Sequence, residues 1–153
     1  MDPNLRELYQ EIILDHSRHP RHFGAMADAN RLAEGFNPLC GDKVKVYLKI
    51  DDNGRIAETA FEGKGCAISV ASASLMSEIL KGRTMAEVEK LMGGFLDLVK
   101  GGEAHELSHD DRENLQVMAG VSAFPMRVKC ATLAWHTMKA AMEGKSEGAV
   151  KTE

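Results

Sequence analysis

The stretch KVKVYLKIDDNGRIAETAFE, residues 43–62, decides the fold of this 153-residue chain. Its first eight residues alternate between apolar and polar side chains, and this period of two predicts a half-buried β-strand. The DDNG turn that follows contains Asn and Gly, which tolerate positive φ, so the chain reverses into a return strand over residues 55–62. An antiparallel hairpin is therefore predicted. Four aliphatic side chains form the buried face of its first strand: Val44, Val46, Leu48 and Ile50.

Helical patterns surround this hairpin on both sides in the sequence. Thr84 followed by Glu87 has the spacing of a capping box and predicts a helix start. The segment 19–36 is predicted to be mostly irregular, with a short strand near Leu32. Together these elements predict an α+β fold, in which a small antiparallel sheet of three strands is packed on one side by several helices. The predicted helices span residues 5–16, 67–81, 85–99, a short one from 115, and 131–142.

Bulk properties restrict the class of protein. Residues 1–143 are predicted to form a single domain, and 144–153 a disordered polar tail. The net charge is −4 and the basic residues are scattered, which argues against a nucleic-acid partner. No run approaches the roughly 18 apolar residues of a membrane span. Three cysteines cannot all pair with one another, so we expect reduced thiols and a cytoplasmic protein.

Three cysteines and one aspartate indicate a divided metal site. Cys40 and Asp42 belong to a C-G-D turn, Cys66 ends the run GKGC, and Cys130 follows RVK. Each cysteine is predicted to lie at a junction between regular elements, and Cys66 and Cys130 are expected just before helices. The positive end of a helix favours thiolate, which is the form that binds metal or accepts sulfur. Three Cys and one Asp also match the four ligands of a tetrahedral zinc site.

Spacing alone does not establish that site. The cysteines are 26 and 64 residues apart, unlike the paired knuckles of a zinc finger, and this is equally compatible with three unrelated, mostly buried cysteines. Three features favour a metal site. None of the cysteines lies on a predicted apolar face, and Gly41, Gly63 and Gly65 allow tight turns beside the ligands. Basic residues that would offset the charge of a thiolate site flank each candidate: Lys43, Lys64, Arg127 and Lys129.

At this level of detail the chain resembles the U-type iron–sulfur cluster assembly family, which includes the IscU scaffolds, the SufU branch and the N-terminal domain of NifU. The resemblance covers nearly the whole chain apart from the tail. The segments that carry it are Leu8-Tyr9 through Asp15-His16, Pro20-Arg21, NPLCGD at 37–42, FEGKGCAIS at 61–69, ASAS at 71–74, and Phe124-Pro125 through CATLAW at 130–135.

Within that family the chain is more similar to SufU than to IscU. IscU-type scaffolds have His immediately before the third cysteine, where this chain has Lys129, a poor metal ligand while protonated. They also carry a Leu-Pro-Pro-Val-Lys chaperone motif, where this chain has FPMRVK at 124–129. A polar insertion over residues 94–114 is likewise similar to SufU.

The resemblance implies a SufE/IscU-like fold and a zinc ion bound by Cys40, Asp42, Cys66 and Cys130. It further implies that Cys40 accepts persulfide sulfur from a cysteine desulfurase, a SufS-like pyridoxal-phosphate enzyme, and that Arg127 steers the persulfide or the partner. The sulfur or cluster would then pass to a downstream scaffold or carrier. On this hypothesis the protein is a zinc-dependent sulfurtransferase.

Two alternatives remain open. The same cysteines, Cys40, Cys66 and Cys130, are equally suited to hold iron or a [2Fe–2S] cluster on a non-enzymatic scaffold, and an oxygen ligand would make that cluster labile. The third hypothesis is a purely structural zinc domain with an interaction role.

Overall fold

The computed structural model describes residues 3–144 and 150–151. The helices in these ranges are α1 (Pro3–Arg18), α2 (Ala67–Ile79), α3 (Met85–Val99), α4 (His109–Leu115) and α5 (Pro125–Met142), with a 3-10 helix at Gln116–Ala123. The strands are β1 (Arg31–Asn37), β2 (Asp42–Ile50), β3 (Ile56–Lys64) and β4 (Val150–Lys151). The rest of the predicted tail after Gly144, residues 145–149 and 152–153, lies outside the described residues. None of the described helices combines the length and apolar character needed to cross a membrane.

The sheet has the strand order β3-β2-β1-β4. Strands β1, β2 and β3 are antiparallel neighbours, which confirms the predicted three-stranded antiparallel sheet and its central hairpin. The register between β2 and β3 shifts between Lys49 and Ile50, close to the hairpin turn. The two-residue β4 adds a parallel pairing at the outer edge of β1.

Helices α2 and α5 cover one face of the sheet. Val46 and Leu48 of β2 are fully buried against them, because the alternating pattern points both to the same side. Trp135 of α5 is also fully buried and stacks on Phe95 of α3, with ring centroids 4.4 Å apart. This core holds α5 and β2 in a fixed relation, and the site described below depends on that relation.

Two sequence-based expectations about element boundaries were wrong. The predicted short strand near Leu32 is present but longer than expected: β1 runs from Arg31 to Asn37, although Gly and Asn disfavour strands. Gly35 is needed there because α5 packs so closely that a Cβ would meet the Thr137 hydroxyl. Helix α5 begins at Pro125, not at residue 131, since Pro is favoured at the first helical position.

The other helix starts follow their capping residues. The capping box of Thr84 and Glu87 is confirmed at the start of α3. Helix α4 begins earlier than expected, because the Ser108 side chain accepts the Asp111 N–H and caps it. The continuation from Gln116 is a 3-10 helix.

Helix α2 buries serines as well as apolar residues, which accounts for its close packing. Ser72 donates to the backbone carbonyl of Ala131 in α5 and accepts from Trp135 Nε1 at 3.2 Å. On the other side of α2, Ser74 Oγ lies 2.7 Å from Nδ1 of His16, which is buried at the end of α1. These bonds satisfy polar groups that would otherwise destabilise a helix buried on both sides.

Candidate metal centre

The first part of the centre is the turn between β1 and β2. Asn37 and Asp42 pair across the end of the two strands, and the Gly41 N–H donates to the Asn37 carbonyl at 2.9 Å. Gly41 has φ of +72°, a conformation that favours glycine. The turn leaves Cys40 half-buried and makes Asp42 the fully buried first residue of β2.

The second part is the junction of β3 and α2. Cys66 is the N-cap residue of α2, as expected, but its thiol makes no capping bond. Its backbone N–H donates instead to Asp42 Oδ1 at 2.9 Å. Gly65 permits this approach, since a Cβ at that position would overlap the Asp42 carboxylate. The Asp42 carboxylate therefore ties the β1–β2 turn to the start of α2.

The third part is Cys130. It does not precede a helix, contrary to the sequence-based expectation, but lies inside α5 and is fully buried. Cys130 also lies among the core residues, whereas none of the cysteines was expected on an apolar face. Its Sγ is 3.4 Å from Cys40 Sγ, so α5 delivers a buried thiol directly beneath the β1–β2 turn.

These segments bring together ligand atoms of Cys40, Asp42 and Cys130, all within 4.8 Å of one another. Donor atoms in a tetrahedral zinc–thiolate site are roughly 3.5–3.8 Å apart, so small side-chain shifts would fit these atoms around one ion. Cys66 is outside this group of three. Its thiol is nevertheless close enough to Cys130 to contribute to the raised pKa of the Cys130 thiol. The donor set therefore fits a divalent metal with a preference for sulfur ligands.

The electrostatics of the centre also fit a cation. Burial raises the pKa of the Cys130 thiol far above its usual value, and hydrogen bonds with Asp42, Cys40 and Cys66 raise it further. Without a cation this thiol is protonated at neutral pH. A divalent ion reverses that preference, because a coordinating thiol gives up its proton.

Basic side chains surround the centre. The pKa of the exposed Arg127 guanidinium is raised by the neighbouring Cys66 and, to a smaller extent, by Cys130. Lys43 and Lys64 are exposed and lie directly opposite each other on β2 and β3, beside Asp42. Two positive charges placed opposite each other on neighbouring strands repel. The Asp42 carboxylate and any thiolates of the site would offset that repulsion between Lys43 and Lys64. The rim is therefore electropositive, as expected for a site that gathers thiolates and a carboxylate.

Asn37 is a site residue to which the sequence analysis assigned no role. It is fully buried, and its Nδ2 donates to Asp42 Oδ2 at 3.3 Å and to Cys130 Sγ at 3.6 Å. The sequence signal that could have identified Asn37 is its position five residues before Asp42. This spacing allows the two residues to pair across the short turn between β1 and β2. Only the strand pairing shows that Asn37 faces the candidate ligands Asp42 and Cys130.

Comparison with known proteins agrees with this architecture. The sequence profile of the NifU-like N terminal domain matches residues 8–131, and the chain belongs to this family. The resemblance to the U-type iron–sulfur cluster assembly family is thereby confirmed.

Relatives in this family carry two kinds of name. The chain is 38% identical to the "Zinc-dependent sulfurtransferase SufU" of Bacillus subtilis (strain 168), over 95% of both chains. It is 36% identical to the "Iron-sulfur cluster assembly scaffold protein IscU" of Streptococcus pyogenes serotype M1, over 91% of this chain and 85% of the relative. A solved structure from Fervidobacterium islandicum AW-1, described as an iron–sulfur cluster assembly scaffold protein for the SUF system, superimposes with a TM-score of 0.79. It is 34% identical and covers 90% of this chain and 98% of its own.

Proposed function

We propose that this protein binds zinc through Cys40, Asp42, Cys66 and Cys130 and accepts sulfur on Cys40 from a cysteine desulfurase, for use in iron–sulfur cluster assembly. The similarity to a protein named as a zinc-dependent sulfurtransferase over nearly its full length supports this proposal. The clustering of Cys40, Asp42 and Cys130 supports it independently.

The observation that carries the proposal is the unequal burial of the ligands. Cys130 and Asp42 are fully buried, whereas Cys40 is half-buried next to Leu39, which is 55% exposed. A sulfur acceptor must be reached by a group on another protein, and a buried thiol in the middle of a helix is not accessible. Burial therefore argues against Cys130 as the acceptor but does not separate Cys40 from Cys66, which is also half-buried. We assign the acceptor role to Cys40 because it lies in the β1–β2 turn beside the exposed Leu39, with Cys130 and Asp42 as ligands that remain in place.

Bound zinc would keep the cysteines as thiolates, which are the nucleophilic form. The Cys40 thiolate would attack the terminal sulfur of the persulfide on the partner enzyme. A new S–S bond then forms on Cys40, the S–S bond of the partner breaks, and the partner cysteine departs as a thiolate. No external oxidant or reductant is required. Arg127, beside Cys66 and Cys130, supplies positive charge where the anionic sulfur arrives.

Partners follow from this chemistry. The donor is a SufS-like pyridoxal-phosphate desulfurase, and a downstream scaffold or carrier receives the sulfur. Three free cysteines whose reactivity requires reduced thiols are consistent with a reducing compartment, and we place this activity in the cytoplasm.

Matched serine variants test the proposal. Cys40→Ser is expected to abolish the acceleration of desulfurase turnover while zinc remains bound to the other three ligands. Cys66→Ser makes the same chemical change at a second half-buried ligand, and should weaken zinc binding without removing the acceptor. Unchanged acceleration in Cys40→Ser would rule out its role as acceptor.

A scaffold for a [2Fe–2S] cluster is the second candidate, favoured by the mixed sulfur and oxygen donor set and by the relatives named as scaffolds. It predicts a different result in the same experiment. Desulfurase turnover would be unaffected by the protein without iron, and a cluster would form on Cys40, Cys66 and Cys130 once iron is added.

A further inference from the structure

Among the described residues, the side-chain hydrogen bonds of Asn37 all lie within the candidate metal centre and the β1–β2 turn. Its Nδ2 donates to Asp42 Oδ2 at 3.3 Å and to Cys130 Sγ at 3.6 Å, and its Oδ1 accepts the Leu39 N–H at 3.3 Å. The Leu39 N–H requires an acceptor, so the amide oxygen must face the turn. The amide nitrogen must therefore face Asp42 and Cys130.

These contacts divide the centre into two halves. Asp42 is held by two donors, the Cys66 N–H on Oδ1 and Asn37 Nδ2 on Oδ2, and Cys130 shares the second of these donors. Asp42, Cys130 and Asn37 are all fully buried. Among the described residues, Cys40 receives no hydrogen bond from Asn37 and is half-buried. One half of the centre is thus fixed by the protein, and the other half is accessible.

We infer that Asn37 is a positioning residue for the metal: it holds Asp42 and Cys130 as a fixed pair of ligands, independently of Cys40. Its two N–H groups neutralise part of the negative charge on the carboxylate and the thiolate, and fix the direction in which each presents its ligand atom. Groups that hydrogen bond to metal ligands in this way commonly contribute 10–100-fold to metal affinity. This inference rests on the proposed zinc site and adds the residue that would keep the ion in place while Cys40 is displaced.

A turn residue without any influence on the metal is the alternative. Asn37 would then matter only through its bond to the Leu39 N–H. The two functions reside on different atoms of one side chain, so they can be separated. Asn37→Asp keeps an oxygen acceptor for Leu39 but has no amide donor for Asp42 and Cys130, whereas Asn37→Ala removes both.

The experiment measures zinc dissociation constants by competition with a chromophoric chelator, for the wild type and both Asn37 variants. Asn37→Ala and Asn37→Asp are each expected to raise the dissociation constant by about 10–100-fold. The matched control is Asn30→Ala. Asn30 also bonds across β1 and β2, to the N–H and carbonyl of Ile50, but at the opposite end of the strands. Its removal should change zinc affinity by less than about threefold.

A second readout reports on the sulfur directly. In cobalt-loaded protein, the sulfur-to-cobalt charge-transfer band should shift in both Asn37 variants, because the N–H···S bond to Cys130 is lost. Asn30→Ala should keep the wild-type band. Far-UV circular dichroism of each variant verifies the fold before either measurement.

Independence from Cys40 is tested by repeating the affinity measurement in a Cys40→Ser background. The increase in the zinc dissociation constant caused by Asn37→Asp should persist in that background, since Asn37 contacts Asp42 and Cys130 and not Cys40. Wild-type affinity and an unshifted band in Asn37→Asp would overturn the inference, as would loss of the factor in the Cys40→Ser background. If the wild type binds no zinc, the proposed function fails instead, so the two failures are distinguishable.

Discussion

The backbone N–H of Cys66 donates a hydrogen bond to Oδ1 of Asp42 at 2.9 Å, and this bond joins two of the segments that form the candidate metal centre. It has a consequence for the ligands themselves. Asp42 is kept in place by the protein even when it is not bound to metal, so the centre is partly organised before an ion arrives. A preorganised carboxylate loses little entropy on coordination.

Gly65 tests this relation, because it makes the approach of Cys66 to Asp42 possible. In Gly65→Ala the added methyl group would collide with the Asp42 carboxylate and displace it. We expect zinc affinity, measured by chelator competition, to fall by about tenfold or more. Gly120→Ala is the control, since a Cβ there meets no atom within 4 Å. Equal zinc affinity in the two variants would show that the Asp42 position is unimportant.

Arg127 should affect sulfur transfer more than metal binding. The Arg127 side chain is exposed, and its positive charge lies beside Cys66 and Cys130. We expect Arg127→Ala to retain its zinc while the initial rate of sulfur transfer drops several-fold, and Arg127→Lys to recover part of that rate. Arg31→Ala removes an equally exposed charge at the far end of β1 and should leave the rate unchanged. Loss of zinc from Arg127→Ala would instead assign Arg127 a role in holding the ligands.

The sequence predicted the sheet better than it predicted the site. The alternation of Val44, Val46 and Leu48 requires one buried face, so the hairpin could be predicted from local pattern alone. The start of α5 was placed too late, because its N-cap residue, Phe124, makes no capping bond and the signal of Pro125 at the first helical position was not used. Consequently Cys130 was expected before the helix and is found inside it.

The gathering of the ligands is a property of the folded chain only. The separations in sequence between the three cysteines say nothing about their distances in space, and the motif resemblance supplied only an expected ligand set, without its geometry. Asn37 illustrates the limit most clearly. It lies in register with Asp42 because β1 extends to that residue, and Gly35 and Asn37 weaken the strand pattern that would have predicted it.

His16 should make stability depend on pH. Burial lowers its pKa, nearby Arg21 lowers it further, and Glu78, with an oxygen 3.9 Å from Nε2, opposes them. The unfolded chain therefore binds the proton more tightly than the folded one. The contribution of neutral His16 to the free energy of unfolding is therefore fully present above the pKa of the unfolded chain, near 6.5. It is lost as the pH falls below that value.

Urea unfolding between pH 8 and pH 5 measures this effect. From pH 8 to pH 5 the wild type should lose more free energy of unfolding than His16→Gln. The cysteines contribute equally in both proteins, so subtracting one loss from the other removes their contribution. His105→Gln, at a side chain 81% exposed, should follow the wild type. Parallel curves for the wild type and His16→Gln would contradict the assignment.

The bridge between Arg83 and Asp111 should contribute to global stability. Two hydrogen bonds of 2.9 and 2.6 Å join the guanidinium to the carboxylate, and the side chains are only 25% and 14% exposed. We expect Asp111→Ala to reduce the free energy of unfolding by about 1–3 kcal/mol. Asp28→Ala breaks a hydrogen bond of 2.6 Å between Asp28 and Lys49, whose side chains are 62% and 43% exposed, and should cost less stability than Asp111→Ala because water screens the exposed pair. Equal losses would mean that burial does not strengthen the first pair.

The most direct test of the central claim is to locate the transferred sulfur. Zinc-loaded protein would be incubated with a cysteine desulfurase and cysteine, without iron, then alkylated and examined by peptide mass spectrometry while desulfurase turnover is recorded. The proposed function predicts a persulfide on Cys40 together with faster turnover. Absence of a persulfide on Cys40 and unchanged turnover, in a protein that takes up a cluster once iron is added, would contradict it and establish a scaffold.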